Sequence, residues 1–469
     1  MELHAVHHVT VLGLRESGRA AALLARRRLA VPVAAMDDEP EEHLDNLQLL
    51  RENGVELRCG GQAELPADTS VLVKSPGVPA EHRLVRAAAA RNVPVWSEVE
   101  LAARFLRGPI IGITGTNGKT TTTELIGAIM RDAGRTVTVA GNVGFALARV
   151  PDTAPAEGLV VVELSSFQLE HIDQFRATVG VLLNVSEDHL DRHGSMSGYA
   201  AAKLRLFENQ DEACVAVLNA DDELLRGARV PGRGRRAWFG TGPAGALSLA
   251  AGVEAGAVWV DPEEVGREGR RQHVCGVDEL ALKGVHNLSN CLAATLVAAA
   301  MEVPVASLTA TLRTFRGVPH RLQVVATVEG VTYVNDSKAT NVDATLKALT
   351  AYSTPVHLIL GGSSKAAAFD GLAAAVEGRV AEVILTGAAA PEIAAAFARR
   401  AGAPEARPPR LVRLDDLSGA VAHASSVARP GDVVLLSPAC ASFDHYRNFE
   451  QRGEHFIELV ERLRKARGH

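Results

Sequence analysis

The sequence has few of the features that mark secreted proteins, membrane proteins or proteins stabilised by structural zinc. Its five cysteines form no CxxC pair and are odd in number, which argues against a disulfide framework or a zinc site and favours a reducing compartment. No window reaches the ~18 consecutive apolar residues that a membrane span requires, and the N-terminus lacks a basic region followed by a long apolar stretch. We therefore expect a soluble, cytoplasmic protein with no membrane partner.

Aromatic residues and positive charge are also scarce. Aromatic side chains make up 4% of the 469 residues, so helices packed closely on sheets are favoured over an aromatic-rich binding surface. The net charge of −6 argues against a nucleic-acid partner, because such proteins usually carry a basic surplus. A highly anionic substrate would have to be held by local cations, helix N-termini or a metal ion.

What the sequence does contain is an alternation of short, β-rich apolar runs with Ala- and Leu-rich helical stretches. This pattern predicts an α/β fold with mostly parallel sheets. The length is too great for one core and indicates about three domains. The helix-breaking sequence Arg-Gly-Pro at 107–109 and the sequence Pro-His-Arg at 319–321 divide the chain into predicted domains of residues 1–108, 109–318 and 319–469.

The strongest local signal is the segment IIGITGTNGKTT at 110–121. An apolar strand leads through a glycine-containing loop into a helix, so loop amides and the helix N-terminus would point at phosphate oxygens. Lys119 would bring its charge to the β- and γ-phosphates, and the Thr120 hydroxyl suits Mg²⁺. Ile113 replaces the first glycine of the common motif, which shortens the loop. The predicted ATP-binding residues of this loop are Gly115, Thr116, Asn117, Gly118, Lys119, Thr120 and Thr121.

The segment TGTNGKTT resembles the ATP loop of the Mur ligase family, whose relatives include the folylpolyglutamate synthases. Further blocks follow in the family's order over nearly the whole chain: GNVG (141–144), ELSSFQLE (163–170), NVSEDHLDRHG (184–194), YAAAKLRLFE (199–208), HNLSN (286–290), PHRL (319–322), NDSKATN (335–341) and SPACASFDHYRNFEQRG (437–453). ELSSFQLE and the last three blocks resemble the members that add D-glutamate.

The resemblance implies an ADP-forming ligase of peptidoglycan precursor synthesis. ATP would convert the carboxylate of UDP-N-acetylmuramoyl-L-alanine into an acyl-phosphate, and the D-glutamate amine would attack it through a tetrahedral intermediate. It also implies an N-terminal Rossmann-like domain that binds the UDP moiety, a central P-loop ATPase-like domain, and a C-terminal Rossmann-like domain that binds the amino acid. We expect a monomer.

The same resemblance implies a catalytic set and two Mg²⁺ sites. Glu163 and His189 would lie at carboxyl ends of strands flanking the ATP loop, where α/β sheets bind ligands. Lys203 would be carbamylated by CO₂ and so become a carboxylate that serves the second Mg²⁺. The metal set is Thr120, Glu163, His189 and carbamylated Lys203. The catalytic set is Lys119, His189, Lys203 and Lys338.

Other matching positions would complete the ATP and substrate sites. Asn290, His320, Arg321 and Asp336 resemble an ATP clamp, in which the arginine binds phosphate and the aspartate takes the ribose hydroxyls. Because two of these come from the third predicted domain, we expect ATP to lie across a cleft that closes on binding. The nucleotide-sugar set is Ser17, Ser75, Asn142 and His189. The D-glutamate set is Lys338, Thr340, Lys365, Ser442 and Phe449.

Two departures from the family pattern affect these sites. Arg15 stands where a glycine is common, and Ser363-Ser364 stand where an aspartate normally comes before Lys365. Three rival functions remain open. The chain could be another ligase of the family, adding L-alanine, a diamino acid, a dipeptide or folate-linked glutamate. It could be an NAD-dependent oxidoreductase, which the missing glycine at Arg15 opposes, or a P-loop motor or switch that hydrolyses ATP without forming a bond.

Overall fold

The structure, a computed structural model, describes residues 2–44, 46–142, 145–188, 190–242, 247–349, 351–352, 354–363, 369–402 and 407–467. Its contacts divide the chain into two compact units, Met1–Arg316 and Gly317–His469. The first unit contains two β-sheets and the second contains one. Within the described residues, no helix has both the length and the apolar character that crossing a bilayer demands.

The first sheet has five parallel strands in the order β3-β2-β1-β4-β5. The strand order reverses between β1 and β4, the kind of switch point at which parallel sheets bind ligands. Its strands and helices are β1 (Val9–Leu12), α1 (Glu16–Leu29), β2 (Val33–Asp37), α2 (Gln48–Glu52), β3 (Glu56–Cys59), β4 (Val71–Lys74), α3 (Arg83–Ala90), β5 (Val95–Ser97) and α4 (Glu98–Ala103).

The second sheet has nine strands in the order β14-β13-β12-β11-β10-β9-β6-β8-β7. The strands from β6 to β12 pair in parallel, and β13 and β14 close the edge in antiparallel fashion. Its strands are β6 (Ile110–Thr114), β7 (Val137–Gly141), β8 (Leu159–Glu163), β9 (Val179–Leu182), β10 (Val215–Asn219), β11 (Arg235–Gly240), β12 (Leu249–Glu254), β13 (Ala257–Val260) and β14 (Gln272–Gly276).

The helices of this part pack on both faces of the sheet, so β6 is buried along its whole length and reads as a continuous apolar run. The α-helices are α5 (Lys119–Asp132), α6 (Val150–Thr153), α7 (Ser166–Leu169), α8 (Leu190–His193), α9 (Met196–Leu204), α10 (Glu223–Gly227), α11 (Val285–Ala300) and α12 (Val305–Thr314). Short 3₁₀ helices in the first unit cover Leu3–Ala5, Glu41–His43, Leu147–Arg149, Arg205–Phe207, Pro262–Val265 and Val277–Glu279.

The third sheet forms the centre of the second unit and has the order β15-β16-β20-β17-β18-β19. Within this sheet, the described strands pair in parallel except for the antiparallel pair β15–β16. The elements are β15 (Gln323–Val328), β16 (Val331–Asn335), α13 (Val342–Leu349), β17 (Val356–Gly361), α14 (Asp370–Ala375), β18 (Val380–Thr386), α15 (Ala390–Ala401), β19 (Arg410–Arg413), α16 (Leu417–Val427), β20 (Val433–Leu436) and α17 (Phe449–Ala466).

The chain is therefore an α/β protein with three mostly parallel sheets. Apolar side chains of the first sheet and of one face of the second sheet belong to one continuous core cluster, which explains why both sheets fall in one compact unit. The division of that unit into domains of 1–108 and 109–318, and the start of the third domain at 319, stay predictions.

Candidate active site

The loop between β6 and α5 holds the predicted phosphate-binding residues. β6 lies between β8 and β9, so the loop leaves the sheet at its carboxyl edge near the centre. Gly118 has a φ of 82°, a backbone conformation that residues with a Cβ rarely adopt. Helix α5 begins at the next residue. The Lys119 Nζ donates to the carbonyl oxygens of Gly115 (2.9 Å) and Thr116 (2.8 Å). The lysine ammonium is thus held at the loop itself.

The segment that follows β9 fixes the shape of this loop. The Thr116 N–H donates to the Asn184 carbonyl oxygen (3.0 Å), and the Asn117 N–H donates to the Asn184 Oδ1 (2.8 Å). The Ser186 N–H donates to the Thr116 Oγ1 (3.0 Å). Asn184 and Ser186 were not among the predicted site residues, although both stand in the block NVSEDH that carried the resemblance.

Asn290 reaches the same loop from α11. A Cβ added to Gly118 would lie 2.3 Å from the Asn290 Oδ1, so the two residues are in direct contact. Asn290 is buried, and its Nδ2 donates to the Asn287 Oδ1 (3.3 Å). The structure therefore brings this predicted ATP-clamp residue to the phosphate loop. Thr120 is buried in the first turn of α5 and Thr121 is half-buried.

Glu163 ends β8 directly beside the loop, because it pairs with Ile113 in the sheet register. Its side chain is buried. The Oε1 accepts a hydrogen bond from the Asn142 Nδ2 (2.9 Å), whereas the Oε2 has no hydrogen-bond partner within the described residues. A buried carboxylate oxygen without a partner is costly. Both predicted residues Glu163 and Asn142 are thus joined at this edge of the sheet.

The donors around the loop fit a hard cation. The orphaned Glu163 oxygen and the Thr120 hydroxyl are oxygen ligands of the kind that Mg²⁺ prefers. His189, the third predicted metal ligand, lies outside the described residues. The described ranges contain no group of three or more His, Cys, Asp or Glu side chains placed to hold a metal ion, so a site here needs the loop hydroxyl, the substrate oxygens or water as further ligands.

Lys203 is buried on α9, with 1% of its surface exposed. Its Nζ donates to the Gly115 carbonyl oxygen (2.9 Å), the oxygen that also accepts from Lys119, and lies 4.4 Å from the centroid of the Tyr199 ring. Burial lowers the pKa of Lys203 to about 7, the Lys119 charge adds to this effect, and Asp188 and Glu163 oppose it. The amine is therefore neutral in a large fraction of molecules near neutral pH.

The predicted nucleotide-sugar residues of the first sheet lie at its switch point. Ser75 follows β4, and its Oγ donates to the Gly13 carbonyl oxygen after β1 (2.7 Å). Ser17 is half-buried in the first turn of α1. Gly18 permits this turn, since a Cβ there would lie 1.7 Å from the Gly13 oxygen. Asp37, the acid that a dinucleotide site would use, accepts from the Leu14 N–H (2.6 Å).

In the second unit, Asp336 lies at the carboxyl end of β16 and is buried. Its Oδ1 accepts from the Leu322 N–H (3.1 Å) and its Oδ2 accepts from the Ser437 hydroxyl (2.8 Å). Burial raises the pKa of Asp336 to about 6, against these hydrogen bonds and the Arg321 charge. Arg321 is exposed, and His320 adopts a left-handed backbone with a φ of 61°.

Two of the predicted amino-acid residues lie together at the start of α17. The Lys338 Nζ lies 5.8 Å from the centroid of the Phe449 ring, Ser442 is buried, and Thr340 is exposed. Lys365 lies outside the described residues, as does Ser364.

Arg452 organises these loops and was missed from the sequence. Its guanidinium donates to the carbonyl oxygens of Ser337 (2.9 Å), Cys440 (3.1 Å) and Gly361 (3.3 Å). Ser337 and Cys440 follow β16 and β20, and Gly361 is the last residue of β17, so one side chain links three strand ends. Burial lowers the pKa of Arg452 to about 10. The missed signal is its position on the buried stripe of α17, in register with Phe456.

Comparisons with known proteins agree with this arrangement. The family model "Mur ligase middle domain" matches residues 113–298, and "Mur ligase, glutamate ligase domain" matches residues 320–440. A protein of Pelotomaculum thermopropionicum, named UDP-N-acetylmuramoylalanine–D-glutamate ligase, is 44% identical over 98% of this chain and 98% of its own length. A protein of Anaeromyxobacter dehalogenans with the same name is 44% identical over 96% of this chain and 97% of its own.

Two solved structures resemble the fold as a whole. The UDP-N-acetylmuramate–alanine ligase of Thermotoga maritima aligns with a TM-score of 0.50 at 18% identity, over 97% of this chain and 99% of its own. A MurF ligase of Thermotoga maritima, solved in complex with ADP, aligns with a TM-score of 0.50 at 17% identity over 100% of both chains. At these identities the likeness concerns the fold alone.

Proposed function

Because the chain belongs to the Mur ligase family, we propose that it joins D-glutamate to UDP-N-acetylmuramoyl-L-alanine with ATP, forming ADP, in the synthesis of peptidoglycan precursors. Relatives that carry the corresponding name are 40–44% identical over nearly the full length of the chain. The observation in the structure that supports the proposal best is the meeting of Lys119, Lys203 and Glu163 around the loop that begins at Gly115.

The chemistry explains why such a cluster is required. A carboxylate is a poor electrophile, so phosphoryl transfer must first turn it into an acyl-phosphate, and the triphosphate and carboxylate repel one another. The loop amides and Lys119 offset that charge. Mg²⁺, when bound, would screen the remaining charge between phosphate and carboxylate oxygens. Thr120, Glu163 and His189 would hold it.

Lys203 would serve a second Mg²⁺ after CO₂ has converted it to a carbamate. The reaction needs a neutral amine, and the lowered pKa of Lys203 supplies one near neutral pH. The ammonium first loses one proton, and the neutral amine then forms the N–C bond with CO₂ as a second proton leaves, so a buried cation becomes an anion. That change also removes the repulsion between two ammonium groups that share the Gly115 oxygen.

The remaining assignments follow the family pattern. Ser17, Ser75, Asn142 and His189 would contact the nucleotide-sugar; Asn290, His320, Arg321 and Asp336 would contact ATP; and Lys338, Thr340, Lys365, Ser442 and Phe449 would hold D-glutamate. Lysines and hydroxyls suit a substrate with two carboxylates, which require charge-assisted donors. Residues 1–108, 109–318 and 319–469 would be the three domains with these tasks. We further propose that the protein acts as a monomer in the cytoplasm.

The direct test is the product formed from ATP, Mg²⁺ and UDP-N-acetylmuramoyl-L-alanine with each enantiomer of glutamate. We expect one new amide, found by mass spectrometry, with D-glutamate only. Oxygen-18 placed in the substrate carboxyl should appear in the released phosphate, because the acyl-phosphate passes one oxygen to it. Product with L-alanine, a diamino acid or a folate instead would assign another member of the family.

Lys119→Ala separates ligation from simple binding. The variant should keep its fold, since the replaced amine donates to carbonyl oxygens of the loop itself, and it should lose ATP-dependent turnover. ATP hydrolysis without glutamate at the full rate in the unaltered protein would favour a motor or switch over a ligase.

A further inference from the structure

Arg192 on α8 donates hydrogen bonds to the loop that follows β4 in the first sheet. Its Nη1 donates to the Pro76 carbonyl oxygen (2.9 Å) and its Nη2 to the Val78 carbonyl oxygen (3.2 Å). Lys74, at the end of β4, donates to the same Val78 oxygen (2.8 Å). The loop 75–78 includes the proposed substrate residue Ser75, and we call it the nucleotide-sugar loop. It is held by Lys74 from its own strand and by Arg192 from α8.

The Arg192 guanidinium also contacts the segment that follows β8. Its guanidinium carbon lies 4.0 Å from the centroid of the Phe167 ring, and its Nη2 pairs with the Glu170 Oε2 (3.0 Å). Phe167 and Glu170 follow Glu163 by four and seven residues. A charged arginine on an aromatic face, paired with a half-buried carboxylate, has a well-defined position.

A row of aromatic rings continues from this point to the phosphate loop. The Phe167 ring stacks on His193 with centroids 5.5 Å apart, and His193 lies 5.1 Å from the Tyr199 ring. The Tyr199 hydroxyl lies 3.4 Å from the Thr116 Oγ1, and the Lys203 ammonium lies over the same ring. The nucleotide-sugar loop and the phosphate loop are thus joined by an unbroken set of packed side chains.

The charge around Arg192 explains why the loop should respond to an anion. Burial lowers the pKa of His171 to about 4, and the charges of Lys74, Arg205 and Arg192 add to this effect. Burial and the Arg192 charge also lower the pKa of Lys74 to about 8, against the effect of Glu170. Glu170 and Glu208 pair with the two arginines and offset part of this positive charge, and a bound anion at the loop would offset more of it.

We propose that Arg192 is a positioning residue that couples the nucleotide-sugar loop to the phosphate loop, so that each substrate strengthens the binding of the other. The inference rests on the proposed function. It adds a positioning residue, and a path of packed side chains between the two loops, that the reaction alone does not require. Because coupling between two ligands is reciprocal, the effect is measurable from either site. Arg192 is chosen over its neighbours because it both donates to the Pro76 carbonyl oxygen and packs on the Phe167 ring.

The test compares the affinity of a non-hydrolysable ATP analogue with Mg²⁺, measured calorimetrically, in the presence and absence of saturating UDP-N-acetylmuramoyl-L-alanine. In the unaltered protein we expect the precursor to tighten analogue binding about 5- to 150-fold, the usual range of coupling. In Arg192→Gln that ratio should fall towards one, while the analogue's affinity for the free protein stays within about twofold. Arg192→Lys, which keeps the charge but lacks the planar fork of donors, should give an intermediate ratio.

Steady-state kinetics and a matched control complete the test. Loss of charged hydrogen bonds to the loop should raise the KM for the precursor about 10- to 100-fold in Arg192→Gln, with a much smaller change in the KM for ATP. Arg205→Gln removes a neighbouring arginine that donates to the Ile172 carbonyl oxygen (2.8 Å) and pairs with Glu208. It should lower thermal stability but keep the coupling ratio.

Product formation by the unaltered protein is measured first, so that the two proposals fail separately. A protein that makes the amide but shows no coupling, or an Arg192→Gln variant that keeps the full ratio, overturns the role of Arg192 and leaves the ligase assignment standing. A protein that neither binds the precursor nor makes the amide overturns both.

Discussion

Replacing Lys203 by methionine removes a buried charge from the site while keeping most of the side-chain volume. In the protein as it stands, the Lys203 and Lys119 ammonium groups donate to the same Gly115 oxygen, and Lys203 is almost inaccessible to water. The free energy of unfolding of the two proteins should therefore differ by an amount that depends on pH, and the dependence reports the pKa of Lys203.

The sign and size follow from the lowered pKa of Lys203, about 7 against an ordinary 10.5. Below pH 7 the amine is protonated in both states, and the folded state bears the cost of the buried charge. Between about pH 7 and pH 10.5 only the unfolded state keeps the proton, so stability rises with pH. At 1.36 kcal/mol per pH unit, the wild-type protein should gain about 3 kcal/mol relative to Lys203→Met between pH 6 and pH 9.

Urea unfolding followed by tryptophan fluorescence measures this quantity in the right part of the molecule. The three tryptophans, Trp96, Trp238 and Trp259, all belong to the first compact unit. The experiment is run between pH 6 and pH 9 in CO₂-depleted buffer and repeated with bicarbonate. Bicarbonate should stabilise the wild-type protein further, because the carbamate forms only on the folded chain, and should leave Lys203→Met unchanged.

Lys283→Met, which removes an exposed lysine from the same unit, controls for the loss of a lysine as such. If the stability difference between wild type and Lys203→Met stays constant across the pH range, Lys203 does not lose its proton near neutrality. The carbamate proposal would then lose its chemical basis, whatever the activity of the variant.

Three further predictions address the ATP site and the second unit. Gly118→Ala should weaken ATP binding at least about tenfold, because its Cβ would lie 2.3 Å from the Asn290 Oδ1 at a φ of 82°. The double variant with Asn290→Ala should recover part of the affinity, and a wild-type dissociation constant for ATP in the single variant Gly118→Ala would contradict the contact. The KM for ATP should rise as pH falls below about 6, where Asp336 becomes neutral, and Asp336→Asn should have a high KM without this pH dependence. Gly453→Ala should destabilise the second unit by about 1–3 kcal/mol, since its Cβ would lie 2.2 Å from the His320 Nδ1; unchanged hydrogen exchange in α17 would refute this.

The α/β class and the strand–loop–helix arrangement of residues 110–121 were accessible from the sequence because their signals are local. A buried parallel strand such as β6 is a short apolar run, and the glycines and Lys119 that follow it fix the loop within a few residues. The region between 231 and 271 was harder. It is rich in glycine and arginine, and the chain there forms three short strands that extend the second sheet.

Contacts between distant segments could not be derived from local pattern. Asn290 touches Gly118 across 172 positions only because α11 packs beside α5. Lys203 lies two positions before Arg205 and by local pattern is a surface charge on a helix. Only the family resemblance marked it, and only the fold buries it. Arg452 is the opposite case: it was not predicted, although its place on the apolar stripe of α17 is a sequence signal of burial.

The free site is electrostatically unfavourable, and this bears on how it works. Two ammonium groups share the Gly115 oxygen, the Glu163 Oε2 lacks a partner within the described residues, and cations gather around Arg192. Each of these features is costly in the free protein and would be relieved by a ligand: the phosphates, a metal ion, CO₂ or the nucleotide-sugar. Ligand binding should therefore stabilise the first unit by more than the individual contacts suggest, because every ligand also removes a repulsion that the folded chain otherwise carries. Proteins depart from locally favourable arrangements chiefly at functional sites, and here the departures coincide with the residues that the proposed reaction needs.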